Sequence, residues 1–191
     1  LKLTTAHFAR SGHQLPPTGY TYSGIAAVQL AWNDLDAALE NAEEAVRLSK
    51  RWGMADALVR THQLLAEVLN ARGDPAAAQE ELHAARQTAE GISAIYVEGV
   101  VATTARLQLL RGQTAAAAQW VADKGLHAGD LFGLTEQGAY LILARLRLAQ
   151  ATHQGSAVLE EALVALERVI ALAAEAGTLG ALLEALVLKA L

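Results

Sequence analysis

Apolar and polar positions along the chain recur at helical spacing and, over a longer range, about every forty residues. Apolar residues four or seven positions apart, such as Leu58, Leu65 and Leu69, are typical of one helix face. A seven-residue phrase with alanine as its third residue occurs four times, and the spacings are 40, 39 and 39 residues for Ala26, Ala66, Ala105 and Ala144. A fixed period in this range indicates stacked supersecondary units, because each unit alone cannot bury its apolar face.

Turn signals follow each phrase and divide the chain into helices. Gly73 suits the left-handed position after a helix, Asp74 an N-cap and Pro75 a first helical turn. Asp34 and Ser156 are expected to cap in the same way. The pattern predicts helices over residues 18–32, 34–52, 54–72, 74–90, 93–111, 113–124, 134–151 and 156–176, and a ninth from about Thr178.

Small residues are expected where the helices cross, because helices approach most closely where side chains are smallest. The second helices carry such alanines at Ala38, Ala78, Ala117 and Ala162. We therefore predict an all-α fold, a right-handed superhelix of tetratricopeptide-like helix hairpins with a period of about 40 residues. It forms a single helical-repeat domain over residues 1–191. A generic alanine-rich helical bundle is the alternative, since alanine favours any helix.

Several segments resemble a known family. They are Leu15-Pro16-Pro17-Thr18-Gly19-Tyr20, Trp32-Asn33-Asp34-Leu35, Arg51-Trp52-Gly53 and the apolar run 176–191. Together they are similar to the tetratricopeptide-like region of the MalT-type large ATP-binding regulators of the LuxR family. The resemblance implies a superhelix between an ATP-binding switch domain and a promoter-binding helix-turn-helix. It also implies a sensor or protein-interaction role in a transcriptional activator. A plain interaction scaffold without a small-molecule ligand is the alternative function.

The flanking activities of such regulators have no counterpart in these residues. There is no Gly-x-x-x-x-Gly-Lys-Ser/Thr phosphate loop. The net charge is −5 and only four lysines occur, a balance that disfavours direct contact with nucleic acid. Because the chain begins at Leu1 and ends within an apolar helix, we expect an excised middle fragment of a larger regulator, without a cofactor of its own.

Composition and motifs disfavour several further classes of protein. The absence of cysteine excludes disulfides and thiolate metal sites and fits a cytoplasmic location. Charges interrupt every apolar run, so no membrane span is expected. The six histidines are scattered, and no serine lies in a nucleophile elbow. We therefore expect neither a metal site nor an enzyme.

The strongest candidate for binding is the inner surface formed by the first helix of each hairpin. Gln137 and Leu141 are assigned to that open surface in the fourth repeat. The predicted ligand- or partner-binding groove comprises Tyr20, Arg60, Gln63, Glu67, Asn70, Arg106 and Arg145. Such polar side chains suit a small-molecule inducer or a regulatory protein. Alternatively, Glu67 and Arg106 neutralise each other across neighbouring repeats as a surface ion pair. Self-association through the uncapped solenoid ends is a further expected partnership.

Overall fold

The computed structural model describes residues 18–190, which form nine α-helices, one 3-10 turn and no strand. The helices are α1 (Thr18–Ala31), α2 (Leu35–Arg51), α3 (Ala55–Ala71), α4 (Pro75–Glu90), α5 (Ala94–Leu110), α6 (Thr114–Lys124), α7 (Gln137–Gln154), α8 (Ser156–Ala176) and α9 (Leu179–Ala190). The 3-10 turn covers Leu134–Glu136. The all-α prediction is confirmed, and most helix ends lie within a few residues of the predicted ones.

Consecutive helices pack in pairs that are joined by short turns. The described residues divide into two compact units between Thr104 and Ala105, inside α5. In the first unit α1 packs against α2, α3 against α4, and α3 also against both helices of the preceding hairpin. In the second unit α7 packs against α8, and α9 contacts both of them. Each unit therefore contains the predicted stacking of a hairpin on the first helix of the next.

Alanines lie at the helix contacts, as predicted. The alanines of the recurring phrase, Ala26, Ala66, Ala105 and Ala144, have at most 3% of their surface exposed. The alanines predicted at the crossings are fully buried; they are Ala38, Ala78, Ala117 and Ala162. A single methyl group lets two helix backbones approach closely without leaving a void, so the recurring alanine marks the packing interface.

The turn between α3 and α4 has the predicted chemistry. Gly73 adopts φ +83°, a left-handed conformation that is costly for any residue with a Cβ. The Oδ1 atom of Asp74 accepts a 3.0 Å hydrogen bond from the backbone N–H of Ala77, and Pro75 opens the helix. The sequence therefore predicted both the end of α3 and the start of α4.

Two other predicted caps do not form a side-chain capping bond. Asp34 stands at the N-cap position of α2, but its side chain makes no capping hydrogen bond. Ser156 is the first helical residue of α8, and Gly155, with φ +90°, takes the N-cap position. A serine inside the first turn no longer has the extended backbone that directs its hydroxyl to the free N–H groups.

The third hairpin differs from the others in its second helix. The helix α6 has 11 residues, whereas α2, α4 and α8 have 16 to 21. It ends at Lys124, as predicted, and the following Gly125 adopts φ +63°. Residues 125–133 then form a connection to the 3-10 turn, and α7 starts at Gln137, three residues later than predicted. The longer connection gives the second unit its distinct local structure.

Candidate functional site

The first members of the predicted groove meet at the N-terminal ends of α1 and α3. Tyr20 lies in the first turn of α1, and its hydroxyl donates a 2.6 Å hydrogen bond to Oδ2 of Asp56 in the first turn of α3. Arg60 is exposed one helical turn after Asp56, and its positive charge acts on both groups. Two predicted residues therefore surround one carboxylate that was not itself predicted.

The hydrogen bond between Tyr20 and Asp56 shifts the pKa values of both partners. It raises the pKa of the Tyr20 hydroxyl, and partial burial and the negative charge of Asp56 act in the same direction. It lowers the pKa of Asp56, an effect that backbone N–H groups and Arg60 reinforce. At neutral pH a neutral phenol therefore donates to an ionised carboxylate, and 40% of the Tyr20 surface remains exposed to solvent.

Gln63 connects α3 to α5 within the first unit. Its Nε2 atom donates a 2.8 Å hydrogen bond to the hydroxyl of Thr103, which donates in turn to the backbone carbonyl of Gly99 at 3.1 Å. Glu67 and Asn70 lie farther along α3 and are half-buried. The first unit thus contains five of the predicted groove residues, and two of them are bonded to the next first helix.

The two remaining groove residues belong to the second unit. Arg106 is half-buried on α5. Arg145 on α7 is also half-buried, and its Nε and Nη2 atoms both lie 3.0 Å from Oε1 of Glu184 on α9. One continuous stripe running through Arg106 and Arg145 from the residues of the first unit stays a prediction.

A small cavity lies beside Arg145. Four leucines complete its wall, and they are Leu109, Leu110, Leu148 and Leu188. Its volume is about 170 Å³, below the roughly 300–1,000 Å³ of most small-molecule sites. The surroundings of Arg145 therefore favour an ion pair between repeats over an enclosed ligand.

The fourth hairpin corrects part of the predicted inner surface. Gln137 and Leu141, both assigned to open positions, are each only 5% exposed. The helix α9 packs along α7, and the hydroxyl of Thr178, just before α9, donates a 3.1 Å hydrogen bond to Oε1 of Gln137. The prediction of open positions is wrong here because the next first helix covers this part of α7.

Four hydrogen bonds share one topological role. Each joins the first helix of a hairpin to the start or body of the next first helix. They link Tyr20 to Asp56, Gln63 to Thr103, Gln137 to Thr178 and Arg145 to Glu184, at separations of 36, 40, 41 and 39 residues. Because these separations match the repeat period, polar side chains of the first helices fasten successive hairpins together.

Comparison with known protein families identifies this architecture. Residues 4–191 match the family described as the MalT-like TPR region. The chain belongs to the MalT-like TPR family. No curated protein and no solved structure matches the chain. Membership supports a helical-repeat region of MalT-type regulators, a fold of the interaction type.

The MalT-like TPR chain has no helix within residues 18–190 that is long and apolar enough to cross a membrane. In the same range, no group of three or more histidine, aspartate or glutamate side chains is arranged to hold a metal ion.

An aromatic cluster in the second unit was not predicted from the sequence. The rings of Phe132 and Tyr140 stack with centroids 3.6 Å apart and planes 10° from parallel. The guanidinium of Arg168 lies 5.4 Å from the Phe132 centroid, within the range of a cation–π contact. The pKa of Tyr140 is raised to about 12, mainly by burial of its side chain and to a smaller extent by its hydrogen bond to Asp130. The cluster holds the connection after α6 against α7 and α8. The sequence signal for this aromatic cluster is a phenylalanine, Phe132, that lies between Gly129 and Gly133.

Proposed function

We propose that this MalT-like TPR region is the sensor or protein-interaction domain of a MalT-type LuxR-family transcriptional activator. In this proposal a small-molecule inducer or a regulatory protein binds the inner surface of the first helices. Family membership over residues 4–191 is the observation that carries the proposal. The exposed polar residues of the first unit support it.

The chemistry of that surface suits hydroxyl-rich or carboxylate ligands. Arg60 offers an exposed fork of N–H donors, and the Asp56 carboxylate beside it can accept from a ligand hydroxyl. Gln63 can both donate and accept. A ligand that replaces or adds to the bond between Tyr20 and Asp56, or between Gln63 and Thr103, changes how one hairpin rests on the next. Binding is thereby coupled to the packing between repeats, which is the physical basis for sensing.

A thermal-shift screen of the chain against sugars and common metabolites tests the proposal. A ligand of the native state at one hundred times its Kd stabilises by about 2.7 kcal/mol, which corresponds to roughly 5–10 °C for a chain of this size. The variant Arg60→Ala should lose most of that shift. The matched control Arg86→Ala, which removes an exposed arginine paired with Glu90 on α4, should keep it. Equal ligand-induced rises in Tm for the two variants would show that Arg60 does not contact the ligand.

The plain interaction scaffold is the second candidate function. It is favoured by the bonds that already occupy Gln63 and Arg145 between helices. This candidate predicts that a broad screen yields no stabilising small molecule. It also predicts that a regulatory protein binds and that Arg60→Ala weakens this complex. Both results together would support the inner surface as a protein-binding site and would contradict the proposal of a small-molecule inducer.

We also propose that this region neither catalyses a reaction nor contacts DNA. The acidic balance, a net charge of −5, supports the second point because the phosphate backbone is itself negative. A saturable, sequence-dependent gel shift of the chain at physiological salt would contradict it.

Self-association is proposed through the exposed apolar face of α9. Leu183, Leu186 and Val187 lie on one side of that helix and are 45–62% exposed. The change Leu183→Glu should abolish concentration-dependent association in sedimentation velocity, whereas a chain that is monomeric at all concentrations would contradict the proposal.

A further inference from the structure

A cleft in the second unit lies beside the short helix α6. The helix α6 has 11 residues and ends at Lys124, whereas α7 has 18. The cleft lies between α6, residues 125–127 and the stretch of α7 that contains Leu146 and Arg147. Its volume is about 370 Å³, within the range of sites that take small molecules.

The walls of this cleft are mostly apolar. Ala118, Val121, Ala122 and Leu126 line it from α6 and the chain that follows, and Leu146 lines it from α7. Val121 and Leu146 are almost fully buried, whereas Ala118 and Leu126 are half-buried and Ala122 is exposed. An apolar ligand body therefore meets the accessible side chains of Ala118, Ala122 and Leu126 and does not need to open the helix packing.

One cation, Arg147, lines the cleft beside this apolar surface. Its Nη1 atom donates a 2.9 Å hydrogen bond to Gln150, and its Nε atom lies 2.8 Å from Oε2 of Glu161. That Nε atom is buried and, within residues 18–190, has no acceptor aligned for a hydrogen bond. The ion pair to Glu161 is thus a charge contact of poor geometry, and Glu161 itself is half exposed. Because the Nε atom is enclosed, a ligand in the cleft would meet the terminal N–H groups of Arg147, and a guanidinium can bind a carboxylate through two parallel hydrogen bonds.

Two other concave places are weaker candidates. The 170 Å³ cavity beside Arg145 is small, and its arginine is already held by Glu184. A second one, at the turn between α1 and α2, is lined by Asp36 and Arg72, which are hydrogen-bonded to each other. Of these three places among residues 18–190, the cleft beside α6 is the one that combines a ligand-sized volume, mostly apolar walls and an arginine.

We infer that the cleft between α6 and α7 binds a small aromatic or alkyl carboxylate, with the apolar body against Ala118, Ala122 and Leu126 and the carboxylate on Arg147. His127, exposed at the same cleft, offers a further polar contact at the rim. This site lies between a second helix and a first helix of the second unit, and it includes none of the predicted groove residues. The inference therefore stands independently of the proposed sensing role.

Isothermal titration of the full 191-residue chain with 1-naphthoate tests the inference, and the uncharged 1-naphthalenemethanol serves as the comparison ligand. We expect saturable binding of the acid and at least several-fold weaker binding of the alcohol. The variant Arg147→Gln should bind the acid roughly ten-fold more weakly or worse, the loss expected for a charged hydrogen-bonding group. The variant Glu161→Gln should bind it about two- to five-fold more tightly, because a competing surface carboxylate is removed.

A filled-cleft variant and its matched control complete the test. Ala122 is exposed and lines the cleft, so Ala122→Phe fills the space without disturbing the buried core. Ala116, an exposed alanine of the same helix outside the cleft, provides the control Ala116→Phe. Loss of 1-naphthoate binding in Ala122→Phe alone supports the site. No saturable binding to the unaltered chain, equal affinity in the two phenylalanine variants, or equal affinity for acid and alcohol would overturn it.

Discussion

Enlarging a buried alanine of the recurring phrase should destabilise the hairpin stack. Ala66 has no exposed surface, and its helix α3 packs against α1, α2 and α4. Leucine adds three carbon atoms, whose burial in an existing void would favour folding by about 0.8 kcal/mol per methylene. At a site without free space those atoms must displace their neighbours, and the net cost becomes about 1–3 kcal/mol. Helix propensity contributes little, because leucine is almost as good a helix former as alanine.

Urea denaturation of Ala66→Leu, followed by far-ultraviolet circular dichroism, measures this cost. The free energy of unfolding should fall by about 1–3 kcal/mol and Tm by roughly 2–4 °C for each kcal/mol, while the helical signal of the native chain is retained. The control Ala71→Leu changes an exposed alanine at the end of the same helix and should stay within about 0.5 kcal/mol of the unaltered chain. If Ala66→Leu is as stable as this control, Ala66 is not at a close helix contact and the packing register is wrong.

Three further outcomes test local features. Asp74→Ala should lower the free energy of unfolding by about 1 kcal/mol because its side chain caps α4, whereas Asp34→Ala, which removes no capping bond, should cost much less in the same urea assay. Gly73→Ala should cost about 1 kcal/mol because φ is +83° there, while Gly91→Ala, at φ −79°, should be close to neutral; equal costs would contradict the assigned turn geometry. The pKa of Tyr140 is raised to about 12 from the usual value of 10.0. Its neutral hydroxyl therefore contributes stability that is fully present below pH 10 and is lost as pH rises through about 12. The variant Tyr140→Phe should lose less stability between these two pH values, and an absorbance titration in which all tyrosines ionise near pH 10 would refute the shift.

Most of the fold could be predicted because its determinants are local or repeated. The alanine at each helix contact recurs in register with the turn signals. A small residue that repeats in this way predicts a helix contact even when the helices that pack against it are unknown. The end of α3 was equally readable, since Gly73, Asp74 and Pro75 each favour one backbone position. The cap at Asp34 could not be judged in this way, because a capping bond depends on where the side chain points and not on the residue type alone.

The candidate site was less predictable because its bonds connect residues one full repeat apart. Asp56 and Thr103 are ordinary helix residues until the packing of neighbouring hairpins places them against Tyr20 and Gln63. The burial of Gln137 follows from α9 lying over α7, a contact between distant parts of the sequence. The cleft beside Arg147 likewise combines residues 118–127 with Leu146 and Arg147, which lie about twenty residues later and meet them only after the helices are packed.

The inducer response of the full-length regulator tests the central proposal most directly. Promoter activation should be measured against inducer or regulatory-protein concentration for the unaltered regulator, Arg60→Ala and the control Arg86→Ala, with helicity checked in each isolated region. We expect Arg60→Ala to need a higher effector concentration for half-maximal response, while Arg86→Ala responds normally. A normal response from Arg60→Ala, and equally from Arg106→Ala and Arg145→Ala, would show that the inner surface is structural and that sensing takes place elsewhere.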